Sequence, residues 1–172
     1  MSNYKWKMSR VMLRGVFKDL IGGIWGHIPR VLRRLTMRVT HARFTVTAAA
    51  IVVDPQGRVL LLKHRFRPGT GWGIPGGFID AGEQPAEAVR RELREEVGLE
   101  LAGVELVQTR TFKQPRQIEI VFRCRPHGDA SPQSIEIRRA SWFSLDSLPE
   151  GLPVDQRTLL RDTLDNGVKR SD

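Results

Sequence analysis

The spacing of apolar positions changes character twice along the chain. In residues 1–38, Leu13, Val16, Phe17, Leu20, Ile21, Ile24, Ile28, Val31, Leu32 and Leu35 recur close to a helical period, with Trp6 and Trp25 nearby. Arg10, Arg14, Lys18, Arg30, Arg33, Arg34 and Arg38 supply the polar side. Gly22, Gly23, Gly26 and Pro29 interrupt the pattern, which predicts two short amphipathic helices rather than one long one. From Phe44 the pattern becomes that of strands. Phe44 to Val53 is rich in Val, Ile, Thr and Ala, Asp54-Pro55-Gln56-Gly57 reads as a turn, and Arg58 to Phe66 is a second strand. Together they are expected to form a hairpin leading into a glycine-rich loop.

The helical period returns between Pro85 and Val97, where strong helix formers follow a proline start signal and Gly98 stands as the stop. At about 100° per residue, Glu92, Glu95 and Glu96 share one sector and Ala86, Leu93 and Val97 a neighbouring apolar one. Gly103 to Phe112 and Gln117 to Cys124 read as strands joined across Lys113-Gln114-Pro115-Arg116, and Arg125 to Gln133 reads as a loop. Arg139 to Pro149 suggests a closing strand and turn. A last helix from Val154 to Leu164 places Leu159, Leu160 and Leu164 on one side, and residues after Gly167 are expected to fray.

With 172 residues the chain suits one domain with a single core. Its formal charge of +9 is not spread evenly. Residues 1–43 carry ten Lys or Arg against one acid, Asp19, while residues 44–172 carry 18 of each sign. The basic character therefore belongs to the arm, and the pI gives no ground for a nucleic-acid partner of the remainder. The lone cysteine, Cys124, excludes an intramolecular disulfide and reads as a strand thiol. No run of about 18 apolar residues is present, so no membrane span is expected.

Basic, amphipathic and Trp-bearing, the arm suits an interfacial anchor on anionic lipid. Packing on its own domain or on a dimer mate is an equal reading, and a nucleic-acid arm or a cleavable presequence completes the alternatives. The expected location is cytoplasmic, peripheral on a membrane under the lipid reading. A homodimer is open.

The candidate chemistry lies between Gly71 and Leu99. Gly71, Gly73, Pro75, Gly76, Gly77 and Gly82 cluster around Trp72, Ile74 and Phe78, a composition that fits an anchored loop able to offer carbonyls to a metal or amides to a phosphate. Glu92 and Glu96 stand about 6 Å apart along the helix axis, and hard oxygen ligands suit Mg²⁺ or Mn²⁺. The plain alternative is a solvated helix whose acids are supported by Arg90, Arg91 and Arg94.

Taken together, Gly77, Glu83, Arg91, Glu92, Leu93, Glu95, Glu96, Gly98 and Leu99 form nine specified positions within 23 residues. This spacing resembles the signature of the Nudix hydrolases, with no departure. The resemblance covers about residues 44–166. It implies an α/β/α sandwich with a mixed β-sheet, here preceded by the basic amphipathic arm (residues 1–43) and followed by a short tail (167–172). It also implies Mg²⁺-dependent hydrolysis of a nucleoside diphosphate linked to another moiety, of nucleotide-sugar or ADP-ribose type. By the same resemblance Glu92, Glu95 and Glu96 would bind the metal, with a carbonyl from the Gly77 region, while Glu83 and Arg91 would hold the loop against the helix. Alternatives are a pyrophosphohydrolase of nucleoside triphosphates or RNA 5′ ends, and a nucleotide-binding sensor that does not cleave its ligand.

Weaker candidates surround this centre. His64 reads as structural, while Arg65 and Arg67 are candidates for substrate phosphates. Lys113 and Arg116 are candidate phosphate or base contacts, since the region after the motif often selects the substrate in this family. Pro115 falls one place off the position where the ADP-ribose-cleaving subgroup carries a proline. Glu119, projecting opposite Ile118 and Ile120, and Glu136 are candidates for an additional carboxylate; a solvated strand residue is the competing reading for Glu119.

Overall fold

The structure is a computed structural model and describes residues 43–168. The expectations for residues 1–38 and for the last four residues lie outside the described part. No helix among the described residues is long and apolar enough to cross a membrane.

The order of elements is β1 (Thr45–Val52), β2 (Val59–His64), β3 (Trp72–Gly73), β4 (Gly76–Phe78), α1 (Pro85–Val97), β5 (Glu100–Phe112), β6 (Gln117–His127), β7 (Ile137–Phe143) and α2 (Val154–Val168). A four-stranded mixed sheet runs β4-β1-β6-β5, and a three-stranded sheet runs β3-β2-β7. Within the mixed sheet β1 is parallel to β6 and antiparallel to β4.

Alternation along β1 divides the interior in two. Ala48, Ala50 and Val52 join Leu60 and Leu62 beneath Val89, Leu93 and Val97 of α1. Ala49 and Ile51 join Leu61 and Val121 against Leu159 and Leu160 of α2. The two helices thus cover opposite faces of the strands, which is the expected α/β/α sandwich. Small residues at 48 and 50 leave room for α1 to approach, and removing the fully buried Leu93 side chain would cost about 2–5 kcal/mol.

The expected hairpin of the first two strands is not formed. The turn is present, with Asp54 Oδ1 accepting from the amides of Gln56 and Arg58, but β1 and β2 belong to different sheets and share only the isolated bridge Val53–Val59. Each strand finds more partners elsewhere: β1 pairs with β6 and β4, and β2 with β7 and β3. A second correction concerns β6, which runs on to His127 rather than stopping at Cys124. Its partner β5 begins at Glu100, and a register shift near Gly103, at φ +59°, absorbs the mismatch. Cys124 is buried.

Candidate active site

The glycine-rich loop is fastened from both sides. The Ile74 amide donates to Gln156 Oε1 on α2 at 2.9 Å, and the Ala50 amide donates to the Pro75 carbonyl at 2.9 Å. Gly76, at φ +146°, runs so close to β1 that a β-carbon there would lie 2.3 Å from the Ala48 carbonyl oxygen. The loop is therefore a fixed wall against which α1 presents its acids.

Arg91 ties the wall to the helix. Its Nε and Nη2 donate to the two Glu83 oxygens at 2.9 and 3.0 Å, and Nη2 also donates to the Phe78 carbonyl at 2.9 Å. Its Nη1 reaches Glu92 Oε1 at 2.9 Å and Glu95 Oε2 at 3.4 Å. Those hydrogen bonds hold the Glu83 carboxyl below its usual range and raise Arg91. Glu83 also accepts from the Asp80 amide at 3.0 Å, closing the turn before the helix.

The three helix acids occupy different environments. The Glu95 side chain is 61% exposed and the Glu92 side chain 17%, whereas Glu96 as a whole is only 8% exposed. Glu92 lies on the Gly77 backbone, in space a larger residue would fill. Glu96 Oε2 is buried with no hydrogen-bond partner among the described residues. Burial first and the neighbouring Glu92 second push the Glu96 carboxyl up to about 8; a hydrogen bond from Gly76 and the field of Arg67 oppose this, and Glu136 adds to it.

Arg67 lies against Gly73 and lines a cavity of about 220 Å³ together with Thr47, Gly77, Gln117, Glu119 and Gln156. Among the described residues no carboxylate lies within ion-pair distance of Arg67. Its partial enclosure opposes the charge, and the fields of Glu96 and Glu119 favour it. Glu119 is engaged by Arg110, whose Nε donates to it at 2.8 Å, whose Nη2 also donates to it, and whose Nη1 reaches Asp155 at 3.3 Å. None of the helix acids lines this cavity itself, which meets them through Gly77, where the Glu92 carboxylate lies; a larger groove, of about 580 Å³ with Arg123 and Arg125 in its wall, lies at the far end of β1 beside Val53, away from Gly77.

The remaining candidates fall apart from this cavity. Arg65 spends its Nε on the Ile135 carbonyl at 3.0 Å, and Lys113 and Arg116 are exposed in the turn between β5 and β6. Glu136 is exposed, with its carbonyl taken by the Arg65 amide at 2.7 Å. Thr47, Gln117 and Gln156 carry no sequence signal for this position. Gln117 Nε2 donates to Thr47 Oγ1 at 2.7 Å because parallel pairing of β1 with β6 sets residues 45–47 beside 117–119.

Among the described residues no three His, Cys, Asp or Glu side chains already converge as a metal cage. The donor set still fits a hard cation. Glu96 offers an unsatisfied buried oxygen, Glu92 stands beside it, and the glycine backbone leaves the approach open.

The sandwich and its acid-lined loop and helix define a Nudix-type domain. The family model described as NUDIX domain matches residues 43–163, and the chain belongs to the Nudix hydrolase family. Hydrolases of this family generally use divalent metal ions such as Mg²⁺. The chain is 37% identical over 123 residues to the NAD-capped RNA hydrolase NudC of Pseudomonas aeruginosa, covering 70% of this chain and 43% of that protein. It therefore spans less than half the length of that relative. It is 31% identical over 116 residues to the ADP-ribose pyrophosphatase of Methanocaldococcus jannaschii, covering 64% and 68% of the two chains. The crystal structure of a MutT NUDIX hydrolase from Burkholderia pseudomallei is similar with a TM-score of 0.63 at 29% identity, over 70% of this chain and 98% of that one.

Proposed function

We propose that this protein is a divalent-metal-dependent pyrophosphohydrolase. Its substrate is a nucleoside diphosphate linked to another moiety, of nucleotide-sugar or ADP-ribose type, and its products are a nucleoside monophosphate and a phosphorylated remainder. The observation that carries the reading is Glu96, a buried acid with an unpartnered oxygen beside a second acid, Glu92. Such an arrangement costs stability unless a cation compensates it. The relatives' names support the substrate class, since NAD and ADP-ribose both contain a nucleoside diphosphate joined to a further group.

Glu92, Glu95 and Glu96, with a carbonyl from the Gly77 region, would hold Mg²⁺ or Mn²⁺. When bound, the metal neutralises phosphate charge and acidifies a coordinated water. The protein's own groups do the rest. Arg67, free of any ion pair among the described residues, lines the cavity beside Gly77 within the field of Glu96, and there it binds the phosphates and favours charge developing on the leaving oxygen. Arg91 positions Glu92 and anchors the loop through Glu83 and Phe78. Water oxygen forms a new bond to one phosphorus, and the bond from that phosphorus to the bridging oxygen breaks. The bridging oxygen leaves with the second phosphate, and the proton passes to a carboxylate of the site.

The test is chromatographic identification of products from a panel of nucleotide sugars, ADP-ribose, dinucleotides and nucleoside triphosphates with Mg²⁺. Release of a nucleoside monophosphate from one class of diphosphate supports the reading. Failure to cleave any of them, with nucleotide binding intact, points to a sensor instead.

A further inference from the structure

The groove at the far end of β1 is built from residues that the cleavage reaction does not use. Its floor is β6, on which Val121, Arg123 and Arg125 share one face because they alternate with Phe122 and Cys124. Val121 belongs to the core that α2 covers, whereas Arg123 and Arg125 follow it along the strand into the wall of the groove. Cross-strand pairing with β5 sets Glu105 beside Arg123 and Ala102 beside Arg125 on that same face. Val53 and Pro55, from the turn after β1, close the other side.

Both guanidinium groups are unspent. Among the described residues neither Arg123 nor Arg125 has a carboxylate within ion-pair distance or a side-chain hydrogen bond. Asp54, at the edge of the groove, is already taken: its Oδ1 accepts from the Gln56 and Arg58 amides at 3.0 and 2.7 Å, and its Oδ2 from Arg58 Nε at 2.7 Å. Glu105 is the acid of the groove that stays unengaged among the described residues. Gly103 seats Arg125. At φ +59° the bulged backbone leaves a space in which a β-carbon would lie 2.8 Å from Nη2 and 2.9 Å from Nε of Arg125, so the guanidinium rests on the strand itself.

Two forks set two residues apart, about 7 Å along the strand, call for an anion with more to offer than a carboxylate. A carboxylate brings one charge and two oxygens, which a single guanidinium saturates. A phosphate monoester brings close to two charges and three terminal oxygens. The volume of about 580 Å³ falls within the range of about 300–1,000 Å³ common to small-molecule sites, and Val53, Pro55, Ala102 and Pro126 give the groove apolar walls. A bare phosphate ion would leave those walls unused.

We propose that this groove is a second ligand site, which binds the phosphate monoester of a small molecule through Arg123 and Arg125 and seats its organic part against the apolar walls. It shares no lining residue with the cavity beside Gly77 and does not rest on the hydrolase reading. Both products of the proposed cleavage are phosphate monoesters, so the ligand class includes them.

The experiment is calorimetric titration of the full chain with AMP, ribose 5-phosphate, inorganic phosphate and adenosine. EDTA is present so that no metal recruits phosphate to the helix acids. Arg123→Gln/Arg125→Gln removes both forks of the groove, and Arg67→Ala removes the cation of the other cavity. The site predicts that the double variant binds both esters at least about tenfold more weakly, the effect of losing charged hydrogen bonds, while Arg67→Ala stays within about twofold of wild type. Glu105→Gln, which takes away the competing acid, tightens both esters by about two- to fivefold. Both esters bind more tightly than inorganic phosphate, and adenosine shows no binding that depends on the arginines. Circular dichroism verifies folding, and Glu105→Gln decides the matter should the double variant fail to fold. Ester binding that survives in the double variant, weakens equally in Arg67→Ala or weakens in Glu105→Gln overturns the site. Failure of wild type to bind either ester does the same, and equal affinity for inorganic phosphate and the esters overturns the role of the apolar walls.

Discussion

A β-carbon at Gly77 would lie 2.2 Å from Oε1 of Glu92, so the carboxylate occupies space that any other residue at position 77 would fill. Gly77 has no positive φ, and alanine meets no backbone strain there. Gly77→Ala should therefore displace Glu92 while the fold survives. Misplacing a reacting group by about 1 Å costs on the order of a hundredfold in rate. The expected result is a loss of that size with a raised Mg²⁺ requirement, measured as turnover against Mg²⁺ concentration. Wild-type Mg²⁺ dependence in this variant would remove Glu92 from the metal site.

Gly73 stands in the same relation to Arg67. A β-carbon there would lie 1.8 Å from Arg67 Nη1. Gly73→Ala and Arg67→Ala should each raise KM by about tenfold or more, as loss of a charged hydrogen bond to substrate requires. Steady-state kinetics on the substrate identified by product analysis checks this. An unchanged KM in both variants would show that Arg67 does not touch the substrate.

The helix was legible to the residue because its signals are local. Pro85 starts it, the Gln84 amide donates to Glu87 at 3.2 Å, and Gly98 closes it at φ +67°. The acid sector followed from the same periodicity. The first two strands were legible as strands but not in their pairing. The turn Asp54–Gly57 looks the same whether it joins two paired strands or passes the chain between sheets, and the choice is made by β6, more than sixty residues on. Arg110 on Glu119 and Gln156 on Ile74 were unreadable for the same reason, since each contact depends on tertiary register. Arg65 and Arg67 looked equivalent in sequence, yet only Arg67 lines the cavity.

Glu96 gives the metal-free protein a pH dependence of definite sign. Its carboxyl is raised from 4.5 to about 8, so between those values the folded state holds a proton that the unfolded state has lost. Stability is present below pH 4.5 and is lost as pH rises through about 8. In EDTA near pH 8, Glu96→Gln should melt higher than wild type by about 5 °C or more, and saturating Mg²⁺ should narrow the gap. A variant that melts no higher in EDTA would contradict the assigned burial of charge.

His64 works in the opposite direction. Burial, assisted by Arg67, lowers it from 6.5 to about 4, so the unfolded chain binds the proton first as pH falls. Its contribution is present above pH 6.5 and is lost as pH falls through about 4. Thermal melts across that window should show a steeper loss in wild type than in His64→Gln. Parallel curves would mean that the imidazole titrates freely in the folded state.

The most direct test of the account is turnover by Glu96→Gln at saturating Mg²⁺, on the substrate that wild type cleaves, with folding verified by circular dichroism. If Glu96 is a metal-holding acid of a pyrophosphohydrolase, the rate falls by at least about a hundredfold while the melting temperature holds or rises. A folded Glu96→Gln protein that turns over at the wild-type rate would contradict the central claim.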